Sequence, residues 1–375
     1  MKMEKYAGYQ YIEGGVCAAQ GFTANGLNCG LNPDKAKNDL GMVYSERLCT
    51  AAAVYTTNKV KGAPVLVTKR HLGMSGGRAK AVIVNSKNAN TCNADGVEIA
   101  EKISELAAQA LEIRPEEVII ASTGVIGQPM SPEPFAAHMQ ELAAGLSREE
   151  HTAAAAVSTE MLQTALSDIV EITYNCLSID GDTSTNDMVS IMANGAAGNP
   201  EITMDGTEYQ SFRQALYIVM ATMTKMLAAD GEGATRLLEC SCVGCPDRQT
   251  AVSIAKSVVQ SSLVKCLLFG CDANWGRIMC AIGYTDADFD IDKVDVDVAS
   301  AAGTIEVCRG NAVILPFSEE KAAEVLGFNL IAYLFHSVGP APVIIPDIIC
   351  SYFHFLTLSA PADIPSIWQT GTQER

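Results

Sequence analysis

The sequence is short of positive charge: 26 Lys and Arg stand against 43 Asp and Glu, a formal net charge of −17. A surface of that sign repels phosphates, which excludes nucleic acid and anionic membrane as partners. An apolar N-terminal core is also missing, since the chain opens Met1-Lys2-Met3-Glu4-Lys5-Tyr6. No signal peptide is therefore expected, and the protein is read as cytoplasmic. Nor is there an unbroken apolar run of membrane-spanning length. The apolar stretch from about Phe328 is interrupted by Pro340, Pro342, Pro346, Pro361 and Pro365, too often for a membrane helix. Internal repeats are absent. Cys240, Cys242 and Cys245 have no second Cys/His cluster at a usual zinc spacing, so no metal is expected, and a zinc module on these three is the minor reading. Their alternation instead fits a strand with Cys240 and Cys242 on one face. The 13 cysteines are odd in number and scattered, which reads as free thiols in a reducing compartment.

What is present, over 375 residues, is material for two or three domains with sizeable cores. The most informative stretch is Val118-Ile119-Ile120-Ala121-Ser122-Thr123-Gly124-Val125-Ile126-Gly127. An apolar run suited to a buried strand leads directly into hydroxyls and glycines. Gly124 lets the backbone turn without a Cβ, so its N–H and the Thr123 hydroxyl can point at one spot, as an oxyanion hole requires. A plain Ser-Thr-Gly turn is the competing reading of these residues alone.

Upstream, Met42 to Ser45, Ala53 to Thr57 and Pro64 to Val67 read as strands. Gly73-Met74-Ser75-Gly76-Gly77 has the pattern of a nucleophile elbow, but Lys80 to Asn85 reads as a strand where a helix is needed, so the match is rejected. Asn85-Ser86-Lys87-Asn88-Ala89-Asn90-Thr91 is a run of amides and hydroxyls that favours turns. A helix at 97–112 then leads to the strand at 118, so two polar loops are expected at one sheet edge. Helices are expected from about Pro132 to Gly145, from a Ser147/Glu150 capping box, and from Ser158-Thr159-Glu160. Cys176 to Ile179 reads as a short strand. Asp180 to Asp187 reads as an Asx-rich turn before a helix, because Thr185 and Ile191 occupy the glycine and glutamate positions of a calcium loop. Helices at 211–229 and 248–260 follow, with Glu232 between glycines after the first. Val294, Val296 and Val298 alternate with acids as a half-exposed strand that could pair with Thr304 to Val307. Ser318, with Glu319 and Glu320, starts a further helix.

Gly14-Gly15-Val16, Thr56-Thr57-Asn58, Asn85 to Asn90, Ser122 to Gly127, Asp180 to Asp187, Asn194-Gly195-Ala196-Ala197-Gly198-Asn199-Pro200, Asp230 to Thr235 and Asn274-Trp275-Gly276-Arg277 together resemble the ornithine acetyltransferase family. That is the bifunctional glutamate N-acetyltransferase of arginine biosynthesis, and the resemblance covers about residues 12–327. It implies an α+β fold, a layered α/β sandwich with a smaller C-terminal α/β domain. The implied domains are 1–240 and 241–327, with 328–375 as an atypical, frame-shifted tail. The implied reaction is acetyl transfer from N-acetylornithine, or from acetyl-CoA, to glutamate, with no cofactor and no metal. A self-cleaved threonine would serve as nucleophile and its freed α-amine as base. The implied assembly is a homo-oligomer, or a heterotetramer of two chain types where the chain self-processes. By motif match Thr123 and Gly124 form the oxyanion hole and Glu232 holds the substrate amino group.

Family members carry a long segment between the helices that start here near 148 and 159. It holds a substrate-binding threonine, a lysine in a glycine-rich turn and the self-cleaved Ala-Thr-Met-Leu. That segment is absent here, and the alanine run 153–156 is the join. Ala221-Thr222-Met223-Thr224 imitates the cleavage motif but lies inside an expected helix, which offers no scissile turn. The nucleophile is thus unassigned, and the alternative is a catalytically inactive remnant or an amino-acid-binding pseudoenzyme.

Overall fold

The computed structural model describes residue 9 and residues 15–148, 157–231, 234–336 and 350–352. The chain divides into two compact units, Met1–Ile172 with Asp182–Met220, and Thr173–Gly181 with Ala221–Arg375. The division falls inside a helix, whereas the sequence reading put it at residue 240.

The first unit is built on strands β1 (Phe22–Leu27), β2 (Leu40–Tyr55), β3 (Arg78–Asn85), β4 (Val118–Ser122) and β5 (Met188–Ala193). They pair in the order β1-β2-β3-β4, with β5 also on β2. Strands β3 and β4 are parallel, Asn85 lying level with Ser122. Parallel neighbours need a crossover, supplied by α2 (Gly96–Leu111); α1 (Ala63–Met74) precedes β3, and α3 (Glu133–Ala144), α4 (Thr159–Ile172) and α5 (Thr207–Ala229) follow β4. The apolar run of β4 is buried on both faces. Ile120 packs with Ile83, Ile103, Phe135 and Leu142, and Ile119 with Ala51, Leu72 and Ala79. Each such isoleucine contributes about 2–3 kcal/mol of burial, which fixes the strand whose exit carries the site.

The second unit's sheet has the order β11-β6-β10-β7-β8-β9. Its strands are β6 (Leu237–Val243), β7 (Val294–Ser300), β8 (Gly303–Arg309), β9 (Ala312–Val313), β10 (Leu330–His336) and β11 (Cys350–Tyr352). Helices α6 (Arg248–Gln260), α7 (Ser262–Gly270), α8 (Gly276–Gly283) and α9 (Glu319–Leu326) belong to the same unit. Ile254, Val258, Leu267, Ile278 and Ile282 share one core with Cys240, Cys242, Val296 and Leu334. Val298 pairs with Ile305, as the alternating valines led one to expect.

Several expectations need correction. Pro64 to Val67 is the first turn of α1 and not a strand. Proline at the start of a helix sacrifices no hydrogen bond, and a four-residue apolar run carries no decisive period. Cys176 to Ile179 is not a strand: Tyr174–Cys176 closes a 3-10 turn that seats Cys176 in the second core. The Asx-rich turn runs into β5 and not into a helix. The segment from 328, which the sequence set apart from the domain before it, begins as a strand inside the sheet. Leu330 pairs parallel with Leu238, and Leu330, Ala332 and Leu334 are buried. Apolar residues at every position of 330–335 hid that alternation. The alanine join at 153–156, Glu150 of the expected capping box and most of the tail lie outside the described residues. No single helix among the described residues is long and apolar enough to cross a membrane.

Candidate functional site

The site grows from the register of β3 and β4 in the first unit. Because the two strands are parallel and end level, the polar runs that follow them leave the same edge, as the strand-helix-strand pattern predicts. They then hold each other. The Thr123 N–H donates to the Asn85 carbonyl (3.0 Å), Val125 N–H to the Lys87 carbonyl (3.1 Å), Ala89 N–H to the Val125 carbonyl (3.1 Å) and Gly127 N–H to the Thr91 carbonyl (2.9 Å). The Ser122 hydroxyl donates to Asn85 Oδ1 at 2.6 Å, below the surface.

Gly124 sits where this contact is tightest. Its φ is +131°, and a Cβ there would come within 2.5 Å of the Asn88 nitrogen and closer still to the Lys87 carbonyl carbon. Only glycine fits both the dihedral and the space. The chain approach so imposed leaves Thr123 and Gly124 on the exposed side of the loop. Among the described residues the Thr123 hydroxyl and the Gly124 N–H have no hydrogen-bond partner.

A third loop locks the first two. Asn186 donates from Nδ2 to the Ala89 carbonyl (2.7 Å) and the Ser122 carbonyl (2.9 Å). Its Oδ1 accepts the hydroxyls of Thr91 and Thr185, both at 2.6 Å. All four hydrogen-bonding positions of the amide are thereby used. Gly62 approaches this amide so closely that a Cβ would lie 2.5 Å from Nδ2. The Thr56-Thr57-Asn58 motif joins from β2: the Thr56 hydroxyl donates to the Ser184 carbonyl, and Asn58 Nδ2 donates to the Thr183 carbonyl at 2.7 Å. Lys61 Nζ closes its own loop by donating to the carbonyls of Thr56 and Asn58, each at 2.6 Å. Four motifs far apart in sequence thus form one polar cluster.

Beneath the cluster, the Asp39 carbonyl accepts from Ser86 N–H at 2.9 Å. The Asp39 carboxylate accepts backbone N–H groups from Cys29 (2.7 Å) and Asn32 (2.6 Å). Burial alone would raise its pKa, but the donors from Asn32, Cys29 and Gly30 outweigh it and hold the carboxyl below its ordinary value.

Of the residues singled out from sequence, Thr123 and Gly124 lie together at the mouth of this cluster. Glu232 lies outside the described residues. Thr222 is within α5, as expected. Asn274 to Arg277 opens α8 in the second unit, where Arg277 pairs with Asp272 at 3.0 Å and the Trp275 ring tilts against Phe317 at 6.4 Å between centroids. Sequence reasoning missed Asn186 as the hub. Its only signal was membership of a turn rich in side chains that compete for backbone groups.

The ArgJ family model matches residues 23–159 and 151–334. The arginine biosynthesis bifunctional protein ArgJ of Caldanaerobacter subterraneus is 37% identical, over 84% of this chain and 90% of that protein. ArgJ 1 of Clostridium acetobutylicum is 36% identical, over 81% and 86%. Among solved structures, ArgJ of Bacillus halodurans shares 36% identity at a TM-score of 0.46, over 50% of this chain and 87% of that one. Ornithine acetyltransferase of Mycobacterium tuberculosis, solved with ornithine, shares 27% at a TM-score of 0.34, over 50% and 94%.

Proposed function

The chain belongs to the ArgJ family and is by descent an acyltransferase of arginine biosynthesis; from that premise we propose that it keeps the carbonyl-activating half of an acetyl-transfer site and lacks the attacking half. In this reading the Thr123 hydroxyl and Gly124 N–H polarise the acetyl carbonyl of N-acetylornithine. The observation that carries it is a pair of unengaged donors on a backbone that admits no other residue at Gly124. Preorganised donors of this kind stabilise the oxyanion of acyl transfer because they need no reorganisation when charge develops.

The absence of an attacking group is supported by the alignment. It runs over 369 residues with the Caldanaerobacter relative yet takes in 84% of this chain, about 315 residues. About 54 positions of it therefore have no counterpart here. The two stretches that match the family model meet at residues 151–159, around the alanine join. Val125 and Ile126, beside the donors, are 59% and 51% exposed, as residues deprived of a cover would be. Without a nucleophile, binding and the oxyanion donors supply only a residual rate.

The test is a turnover assay with N-acetylornithine and glutamate alongside calorimetric titration with N-acetylornithine. The expected result is saturable binding, weakened about threefold to tenfold by Thr123→Val, with no ornithine released. Stoichiometric turnover would overturn the lack of a nucleophile; absence of binding would overturn the retained half-site.

A further inference from the structure

The second unit carries a sulfur pair that acetyl transfer does not use. Strand β6 ends at Val243, Gly244 turns the backbone at φ +79°, and Cys245 follows before Asp247 caps α6 by accepting from Thr250 N–H at 2.8 Å. The turn brings the sulfurs of Cys242 and Cys245 to 3.4 Å, with a thiol of one hydrogen-bonded to the other. Cys240, two residues back on the same strand face, is fully buried and has its thiol pKa pushed up by desolvation alone. The pair therefore stands apart from Cys240.

From this geometry we propose that Cys242 and Cys245 form a redox-active dithiol, which reduces a small-molecule or protein disulfide by thiol–disulfide exchange and is left as an intramolecular disulfide. Two residues separate the cysteines, the spacing found in dithiol redox motifs, and here it runs from the end of a strand into the turn before the next helix. A disulfide needs its sulfurs at about 2.05 Å, so rotation of two side chains over a glycine-containing turn has to close about 1.3 Å. Cys245 is placed to attack. Both residues are buried, and Cys245 is the one next to the exposed Pro246 and Asp247. The hydrogen bond between the two sulfurs also holds the Cys245 thiol pKa below the ordinary value, against burial and the Asp247 charge, while raising that of Cys242.

The steps balance. The Cys245 thiolate attacks one sulfur of the incoming disulfide, breaks its S–S bond and releases one thiolate, leaving a mixed disulfide. Cys242 loses its proton and attacks the Cys245 sulfur, which expels the second thiolate. The protein pair gives up two electrons and two protons, and the reagent disulfide becomes two thiols.

The test equilibrates the full chain, natively folded, in glutathione mixtures of rising disulfide-to-thiol ratio, alkylates free thiols and maps the tryptic peptide Leu237–Arg248. That peptide holds Cys240, Cys242 and Cys245 and no other cysteine. The expected result is a Cys242–Cys245 bridge with Cys240 alkylated, its fraction rising from near none to near all, and unchanged in Cys240→Ser. Cys242→Ser traps glutathione on Cys245, and Cys245→Ser traps little on Cys242. The proposal is overturned if all three thiols stay alkylatable at every ratio, if the bridge includes Cys240, or if the purified protein protects the three thiols with stoichiometric zinc.

Discussion

The exits of β4 and β6 make an instructive pair. Each is a largely buried strand followed within two residues by a glycine at positive φ, Gly124 at +131° and Gly244 at +79°. After β4 the chain is pinned by carbonyls and side-chain amides from two other loops, whereas after β6 two sulfurs face one another and a capped helix follows at once. The first exit is held from outside itself and so presents donors that nothing within the cluster consumes. The second is held by its own neighbours, and its chemistry is turned inward. A glycine after a buried strand thus signals a sharp exit, and the residues that meet it decide what the exit can do.

A methyl group separates the two exits most severely. Gly124→Ala forces Cβ into the Lys87–Asn88 backbone as well as imposing an unfavourable φ, and should cost about 3 kcal/mol or more. Gly244→Ala meets the dihedral cost and should cost about 1–2 kcal/mol. Urea denaturation of both variants measures the difference, and equal losses would mean that the two turns are held alike.

Removing the hub comes next. Asn186→Ala removes four hydrogen bonds, and of the groups it bonded only Ala89 and Thr91 retain a contact with each other, so it is expected to cost about 2–4 kcal/mol. Cys240→Ala deletes a single sulfur from the second core and should cost about 1 kcal/mol. The same denaturation experiment ranks them; a larger loss for the cysteine would reverse the proposed division of roles.

A smaller effect depends on pH. The Asp39 carboxyl is held below its ordinary value, so the folded state binds its proton less readily than the unfolded one. Its contribution is complete above the unfolded pKa of about 3.9 and is lost as pH falls through the lower folded value. Asp39→Asn should therefore be destabilised by about 2 kcal/mol at neutral pH, with the gap to the parent closing below about pH 4. Thermal melts across that range test it, and a gap that widened in acid would contradict the assignment.

Much of the first exit was legible. The strand at 118, the crossover helix and the meeting of two polar loops followed from an apolar run, a helical period and the rule that parallel strands need a crossover. What brought the third loop onto the other two was not, because Asn186 acts across 64 residues to Ser122 and its amide has no local periodicity. Pro64 to Val67 shows a different limit: four apolar residues fit a strand as well as a first helical turn, and the loop carbonyls that satisfy the helix start, from Thr185 to Gly62 and from Asn90 to Ala63, lie far away in sequence. Leu330 to His336 was hidden because unbroken apolarity conceals an alternation that only pairing with β6 and β7 brings out. The cysteines were visible as a strand face, but their sulfur contact depends on the turn at Gly244.

In the proposed reading the acetyl-transfer site retains its carbonyl donors and has no attacking group. Intact-mass spectrometry of the purified chain, before and after incubation with excess N-acetylornithine and no glutamate, tests it most directly. A single uncut chain with no added acetyl group is the predicted result. Two fragments, or one acetyl group retained on a hydroxyl of this chain, would contradict it.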